Sequence, residues 1–156
     1  MFGVVALAGL MLALPQITQA GTPPKIDSRY VINGGEVYDT KSDLTWQRCS
    51  VGLHWIEGLG CKGVAKKEFT FDEAQHQATK KWRIPNKVEL SSLTVIKNKG
   101  PKIDLVAFPD MTEGMGYWTS QPLTSKLAWD IHFDDGEVYD TYRSDDRALR
   151  LVRSGR

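Results

Sequence analysis

Residues 82–90 read Trp-Arg-Ile-Pro-Asn-Lys-Val-Glu-Leu, and this stretch sets where a helix begins in the middle of the chain. Pro85 is followed by Asn86, a residue type that accepts hydrogen bonds well at a helix N-cap, and Glu89 stands three positions later. That spacing is typical of a capping box. The stretch therefore predicts a helix that begins after Asn86. Its apolar side would consist of Val88, Leu90 and Leu93.

Another helix is predicted upstream, over residues 70–81. Thr70 is followed three positions later by Glu73, which forms a further capping box. The apolar residues of this segment recur at spacings of three and four, so they would share one helical face. They are Phe71, Ala74, Ala78 and Trp82.

Segments rich in alternating, β-branched or aromatic residues flank the two helices and predict strands. They are residues 29–33, 36–39 and 44–47 before the helices, and residues 117–120, 128–133, 137–142 and 149–153 after them. The pair at 128–133 and 137–142 is joined by an Asp-Gly turn, which is typical of a β-hairpin. The order predicts an α+β fold with antiparallel sheets and two helices, rather than alternating βαβ units.

The chain has 156 residues, and the first 20 carry no Asp, Glu, Lys or Arg. An apolar run at residues 4–14, too short to span a bilayer, precedes Thr-Gln-Ala at residues 18–20, which suits a cleavage site. We therefore predict a signal peptide at residues 1–20; the alternative is a buried N-terminal helix. A flexible lead-in is expected at residues 21–28, followed by a single domain.

The sequence contains two cysteines, Cys49 and Cys61. Export to an oxidising compartment favours a disulfide between them. The alternative is a metal site, which would need further ligands, and none of the histidines stands at a zinc-motif spacing. The segment between the cysteines is rich in glycine and is expected to be a loop. We expect neither a cofactor nor a bound metal.

A series of short motifs runs along the chain. They are Trp46-Gln47-Arg48-Cys49, Trp55 with Cys61-Lys62-Gly63, the stretch at 82–90, Ala107-Phe108-Pro109, Tyr117-Trp118-Thr119-Ser120, Ala128-Trp129, Phe133-Asp134-Asp135-Gly136 and Arg150-Leu151-Val152-Arg153. In this order the motifs resemble the Lcl C-terminal-domain family, named for a bacterial collagen-like adhesin. The resemblance covers residues 29–154, and Trp-Arg-Ile-Pro-Asn-Lys at residues 82–87 is its most specific part.

The resemblance implies a C-type lectin-like fold and an exported bacterial domain, and the named adhesin recognises sulfated polysaccharides. This chain lacks the Gly-X-Y repeat of that adhesin, so collagen-driven trimers are not expected. Calcium-dependent lectins use Glu-Pro-Asn or Gln-Pro-Asp, followed by Trp-Asn-Asp. Here Gln121-Pro122-Leu123 precedes Ala128-Trp129-Asp130, and the leucine has no ligating oxygen. A calcium–sugar site of that kind is therefore not expected.

The sequence offers little support for catalysis. A nucleophile needs an activating base within hydrogen-bond reach, but both cysteines are expected to be paired and no Gly-x-Ser-x-Gly motif occurs. Ser91 and Ser92 lie on the second helix without an obvious histidine partner. Formylglycine-generating enzymes share the lectin-like fold but use cysteines late in the chain, and none follows Cys61. We therefore predict that the protein is not an enzyme.

The formal net charge of +1 argues against a general nucleic-acid binder, but it conceals two oppositely charged segments. Residues 62–102 carry ten basic and four acidic side chains, whereas residues 103–146 carry two basic and ten acidic ones. The basic segment supplies candidates for binding an anionic polymer: Lys80, Lys81, Arg83 and Lys87. The alternative is ordinary solvated helix surface, and Arg83 and Arg150 could instead be structural partners of nearby acids.

Two of the five tryptophans, Trp118 and Trp129, are candidates for stacking on a sugar, with Gln121 and Asp130 as hydrogen-bonding neighbours. The alternative for both rings is burial in the core. The acidic residues around the predicted hairpin could hold a divalent cation. Turn chemistry and a polar strand face explain the same residues more simply.

These features predict an exported, non-enzymatic domain that binds an anionic glycan or a cell-envelope component. The destination could be the periplasm, the outer surface or the medium. The alternative is a subunit that docks to another exported protein through an aromatic surface. Opposite charges on neighbouring molecules could also give head-to-tail contacts. We expect no nucleic-acid partner and no stable membrane insertion.

Overall fold

The structure is a computed structural model that describes residues 27–63 and 68–156. The predicted signal peptide and most of the predicted lead-in lie outside these residues. Within them the chain forms short strands and two short helices. Their order is β1 (Tyr30–Asn33), β2 (Glu36–Asp39), β3 (Leu44–Gln47), β4 (His54–Ile56), β5 (Gly60–Lys62), β6 (Glu68–Phe69), α1 (Phe71–Gln75), α2 (Lys87–Ser91), β7 (Gly116–Pro122), β8 (Leu127–His132), β9 (Val138–Tyr142), β10 (Arg147–Ala148) and β11 (Val152–Ser154).

The first sheet has four antiparallel strands in the order β1-β2-β3-β11. It confirms the three strands predicted before the helices, and the closing strand joins it from Val152 onward. Val37, Trp46 and Val152 lie side by side across β2, β3 and β11, and all three are fully buried. This row of apolar side chains fixes the register, because a shift by one residue would turn them to the opposite face.

The second sheet has five strands in the order β6-β10-β7-β8-β9 and contains the predicted hairpin as β8 and β9. β10 lies between β6 and β7 and pairs with β7 in parallel, Ala148 opposite Tyr117. The sheet is therefore mixed, and the prediction of purely antiparallel sheets is wrong at this pairing. The pairing joins distant parts of the chain, which local sequence patterns do not report. The α+β class is confirmed.

The segment predicted to be a loop between the cysteines forms a third, two-stranded sheet. β4 and β5 pair antiparallel, with Trp55 opposite Cys61. The turn between them uses Gly58 and Gly60, both with positive φ, a conformation that other residues adopt only at a cost. The glycines that suggested a loop therefore serve a hairpin turn.

Helix α1 is much shorter than predicted and ends at His76. Its capping box is confirmed, because the Thr70 hydroxyl accepts from the Glu73 amide and the Glu73 carboxylate accepts from the Thr70 amide. Beyond it, the Thr79 hydroxyl accepts hydrogen bonds from the amides of Lys81 and Trp82 at 3.2 and 3.0 Å. These bonds form a turn in place of further helix, as threonine side chains can do.

Helix α2 begins where the sequence predicts. Asn86 caps it, and its side chain accepts from the Glu89 amide at 2.9 Å. Leu90 and Leu93 are fully buried as expected. Val88 is 76% exposed, so its assignment to the apolar side is wrong.

The stretch at 82–90 joins the two large sheets. On one side, the backbones of Arg83 and Val152 exchange two hydrogen bonds of 2.9 Å, which attaches the stretch to β11. On the other side, the Ser120 amide of β7 donates to the Pro85 carbonyl at 2.8 Å. The Arg83 guanidinium binds both carboxylate oxygens of Glu89 at 2.7 Å. The structural interpretation of Arg83 is thereby supported.

Arg150 is fully buried beneath the end of β3. Its guanidinium donates to the Gln47 carbonyl at 2.9 Å and to an Asp110 carboxylate oxygen at 2.6 Å. It also lies against the ring of Phe108, 4.9 Å from the centroid. Although burial raises the pKa of Asp110, Arg150 and the Ser50 amide hold it below its usual value. Arg150 is therefore a structural cation of the core.

Candidate functional site

Trp118 and Asp130, two of the predicted ligand-binding residues, lie in the interior and are fully buried. The Trp118 indole N–H donates to the Phe69 carbonyl at 2.7 Å. Asp130 accepts from Arg147 at 2.8 Å and from the Thr141 hydroxyl at 2.9 Å. Neither side chain faces solvent. The prediction that Trp118 stacks on a sugar at the surface is therefore wrong, and the alternative of core packing describes it.

Lys87, Gln121 and Trp129 form a small group at the start of α2. The Lys87 ammonium lies 4.2 Å from the centroid of the half-buried Trp129 ring, and the Lys87 amide donates to the Gln121 side chain at 2.9 Å. The structure therefore brings three of the predicted residues together. Lys87 lies over one face of this ring, and neither residue lines the cleft described below.

Lys80 and Lys81 lie in the turn that precedes the stretch at 82–90, and both are exposed. Lys81 donates to a Glu36 carboxylate oxygen at 2.6 Å, and its ammonium lies 5.1 Å from the centroid of Trp82. Arg83 is held by Glu89 as described above. Of the four predicted cations, Lys81 therefore contacts two residues, Glu36 and Trp82, that line the cleft described next.

A cleft of about 530 Å³ opens between the first sheet, the β4–β5 hairpin and the turn before the stretch at 82–90. Two tryptophans, two amide side chains, a carboxylate and an imidazole contribute to its surface. The lining residues are Asn33, Gly35, Glu36, Gln47, Cys49, Leu53, His54, Trp55 and Trp82. We call this surface the tryptophan cleft.

The disulfide between Cys49 and Cys61 ties the hairpin that carries Trp55 to the end of β3, and it confirms the predicted pairing. The Arg48 guanidinium stacks on the Trp55 ring, 3.7 Å from its centroid. Gly35 leaves room for the ring, since a β-carbon there would stand 3.0 Å from the β-carbon of Trp55. These three contacts hold one wall of the cleft.

The other wall is the half-buried Trp82. Its backbone is fixed on one side by the Thr79 turn and on the other by the bridge between Arg83 and Val152. The guanidinium of Arg153 lies 5.6 Å from the Trp82 ring centroid. Cations flanking an aromatic ring at these distances are attracted to its face.

Glu36 lies between two cations at the edge of the tryptophan cleft. One carboxylate oxygen accepts from Lys81 at 2.6 Å and the other from Arg153 at 2.9 Å. Partial burial raises the pKa of Glu36, but the hydrogen bonds to Lys81 and Arg153 lower it. The pKa therefore lies below its ordinary value. The group of one carboxylate and two cations therefore carries a net positive charge at neutral pH.

The sequence predicts Lys81 as a ligand-binding candidate, but it predicts no binding role for Trp55 or Trp82. Trp82 is predicted on the apolar face of the first helix, and Trp55 is predicted in a loop between the cysteines. An aromatic residue in a glycine-rich segment was the sequence feature that could have drawn attention to Trp55. Trp55 and Trp82 come together in one cleft only through a disulfide, a turn and a strand pairing.

The sequence profile of the Lcl C-terminal domain matches residues 35–153. The chain belongs to the Lcl C-terminal domain family. A comparison with curated proteins finds no significant match. Apart from Asn33, every residue lining the tryptophan cleft lies within this Lcl C-terminal domain. Family membership and the disulfide both fit an exported, adhesin-associated domain.

The described residues offer neither a clustered metal site nor a membrane-spanning helix. Among residues 27–63 and 68–156, no group of three or more His, Cys, Asp or Glu side chains is arranged to hold a metal ion. In the same part of the chain, no helix is long and apolar enough to cross a membrane.

Proposed function

We propose that this Lcl C-terminal domain is an exported, non-enzymatic binding domain that holds an anionic glycan in the tryptophan cleft. The observation that carries the proposal is that Trp55 and Trp82 line a single cleft whose edge bears Lys81 and Arg153. The predicted signal peptide and the family support export. A relationship to C-type lectins is part of the same proposal.

The chemistry of the cleft suits a charged sugar. Indole faces pack against the apolar C–H faces of sugar rings, and the amides of Asn33 and Gln47 can donate to and accept from hydroxyl groups. Sulfate or carboxylate groups on the sugar would be attracted to Lys81 and Arg153 by charge-assisted hydrogen bonds. Because Lys81 is exposed and Arg153 is only partly buried, the attraction should weaken as salt increases.

Docking to another exported protein is the second candidate function. The observation that favours it is a set of exposed apolar side chains on the edge strand β9, with Val138 and Tyr142 on one face and Tyr139 on the other. These residues do not line the tryptophan cleft. The two functions therefore use different surfaces and can be tested separately.

Trp82→Ala is expected to lower the affinity for a heparin hexasaccharide about tenfold at low salt, because one wall of the cleft is lost. Lys81→Ala should weaken binding and reduce its salt dependence. Fluorescence anisotropy of the labelled hexasaccharide measures both effects.

The matched controls are Trp129→Ala and Lys87→Ala, which alter a similar pair of ring and cation outside the tryptophan cleft. Both should bind as the wild type does. Equal losses in the two sets of variants, or no binding by the wild type at low salt, would count against the proposal.

A further inference from the structure

β9 is the outer strand of the five-stranded sheet and pairs only with β8 among the described residues. Asp140 is the middle residue of β9 and lies opposite Trp129 of β8. The His132 amide donates to the Glu137 carbonyl, and the Arg143 amide to the Lys126 carbonyl. This alternation turns the backbone N–H groups of Val138, Asp140 and Tyr142 away from β8. The outer side of β9 is therefore a free ladder edge at Val138, Asp140 and the Tyr142 amide, whereas the Tyr142 carbonyl accepts from the Asp145 amide at 2.9 Å.

The side chains of this edge are unusually apolar for a solvent-facing strand. Val138, Tyr139 and Tyr142 are 37%, 42% and 61% exposed. At the far end, Tyr142 and Arg143 line an open groove of about 440 Å³ together with Lys126 and Thr70. The free edge is thus continuous with a concave surface that can receive a side chain from a partner.

The charge along the edge is negative. Glu137 and Asp140 are exposed. Arg143, the first residue after the strand, is paired with Asp72, and Asp145 and Asp146 lie two residues further on. Two copies of β9 paired antiparallel about Asp140 would bring the two carboxylates opposite each other, which is unfavourable. A strand with lysine or arginine opposite Asp140 would instead gain a favourable cross-strand pair.

We infer that β9 is a docking edge at which an extended, basic segment of a partner protein adds a sixth strand to the sheet. Backbone hydrogen bonds to Val138, Asp140 and the Tyr142 amide supply the pairing, and a lysine or arginine side chain of the partner lies opposite Asp140. Successive side chains of a strand point to opposite faces, so the apolar positions of the partner pack on Tyr139, on the other face of the sheet. The inference rests on the second candidate function, docking to another exported protein, and names the partner segment. This surface lies outside the tryptophan cleft and does not depend on glycan binding.

The probe is the synthetic peptide Lys-Val-Lys-Tyr-Lys-Val-Lys, added to the isotope-labelled protein. Amide hydrogen exchange at Val138, Asp140 and Tyr142 should slow on binding, while exchange elsewhere in the sheet stays unchanged. A peptide with glutamate at each lysine position and a peptide methylated at alternate backbone nitrogens serve as controls. Neither should protect the edge, because the first has the wrong charge and the second lacks ladder donors.

Two variants test the same contacts from the protein side. Asp140→Lys should weaken binding of the basic peptide about fivefold and favour the acidic one, since an attractive pair becomes repulsive. Asp140→Pro removes an N–H that faces solvent, a position where an edge strand tolerates proline, and should also cost about fivefold. The melting temperature and the hexasaccharide affinity should remain at wild-type values.

Several outcomes would overturn the inference. They are protection that maps away from β9, binding that survives backbone methylation, and absence of binding at millimolar peptide. Slow exchange of the three amides in the protein alone would mean that the edge is already covered, and it would overturn the inference equally. If the hexasaccharide still binds with wild-type affinity in those experiments, the proposal of glycan binding in the tryptophan cleft is unaffected.

Discussion

Arg150→Met is expected to destabilise the protein by about 3–5 kcal/mol, because it leaves a buried carboxylate without its partner. Asp110 would lose its guanidinium hydrogen bond, and the Gln47 carbonyl would lose a buried donor. The pKa of Asp110 lies below its usual value in the intact protein, so the carboxylate stays ionised at neutral pH. Urea unfolding followed by circular dichroism measures the loss.

A double-mutant cycle separates the ion pair from simple packing. Asp110→Leu combined with Arg150→Met removes both charges, and the double variant should recover part of the stability that the single variant loses. A single Arg150→Met variant that loses less than about 1 kcal/mol would contradict the assignment of Arg150 as a structural cation of the core.

Replacing both cysteines by serine is expected to destabilise the protein by about 3 kcal/mol and to weaken hexasaccharide binding about tenfold. The disulfide links residues 12 positions apart, so its loss frees a short loop in the unfolded chain. Within the described residues, β4 and β5 pair only with each other, so the wall carrying Trp55 depends on the disulfide and on Arg48. Thermal melts and fluorescence anisotropy measure the two effects.

Reduction of the wild-type protein provides the control, because it breaks the same bond without altering the sequence. Binding is measured at a temperature where circular dichroism still reports a folded state. If the reduced, folded protein binds the hexasaccharide as tightly as the oxidised one, the disulfide does not hold the cleft.

The elements that sequence predicts best are those specified by neighbouring residues. The capping boxes at Thr70 and Asn86 form as expected, because each needs two residues three positions apart. β1, β2 and β3 and the β8–β9 hairpin follow from alternation and turn residues. Local chemistry alone determines these features.

The errors arise where distant or competing contacts decide. α1 stops early because the Thr79 hydroxyl bonds the following amides, although Ala78 and Trp82 continue the apolar period. The parallel pairing of β10 with β7 joins Ala148 and Tyr117, which are 31 positions apart. No local sequence pattern predicts this pairing. Residue types predicted a basic, aromatic site, but strand pairing buries Trp118 and Asp130 in the interior.

The family resemblance extended the prediction beyond local patterns. It rested on motifs such as the stretch at 82–90, and the match over residues 35–153 confirms it. The resemblance could not locate the tryptophan cleft, because that surface is assembled from three separate segments. Trp55 comes from the disulfide-tied hairpin, Trp82 from the turn, and Glu36 from β2.

The most direct test of glycan binding in the tryptophan cleft is a titration with the heparin hexasaccharide, followed through the indole N–H signals of the five tryptophans. The signals of Trp55 and Trp82 should shift in a saturable manner. Those of Trp46 and Trp118 should stay in place, since both rings are fully buried. Saturable shifts confined to Trp129, or no indole shifts at millimolar hexasaccharide, would contradict the account.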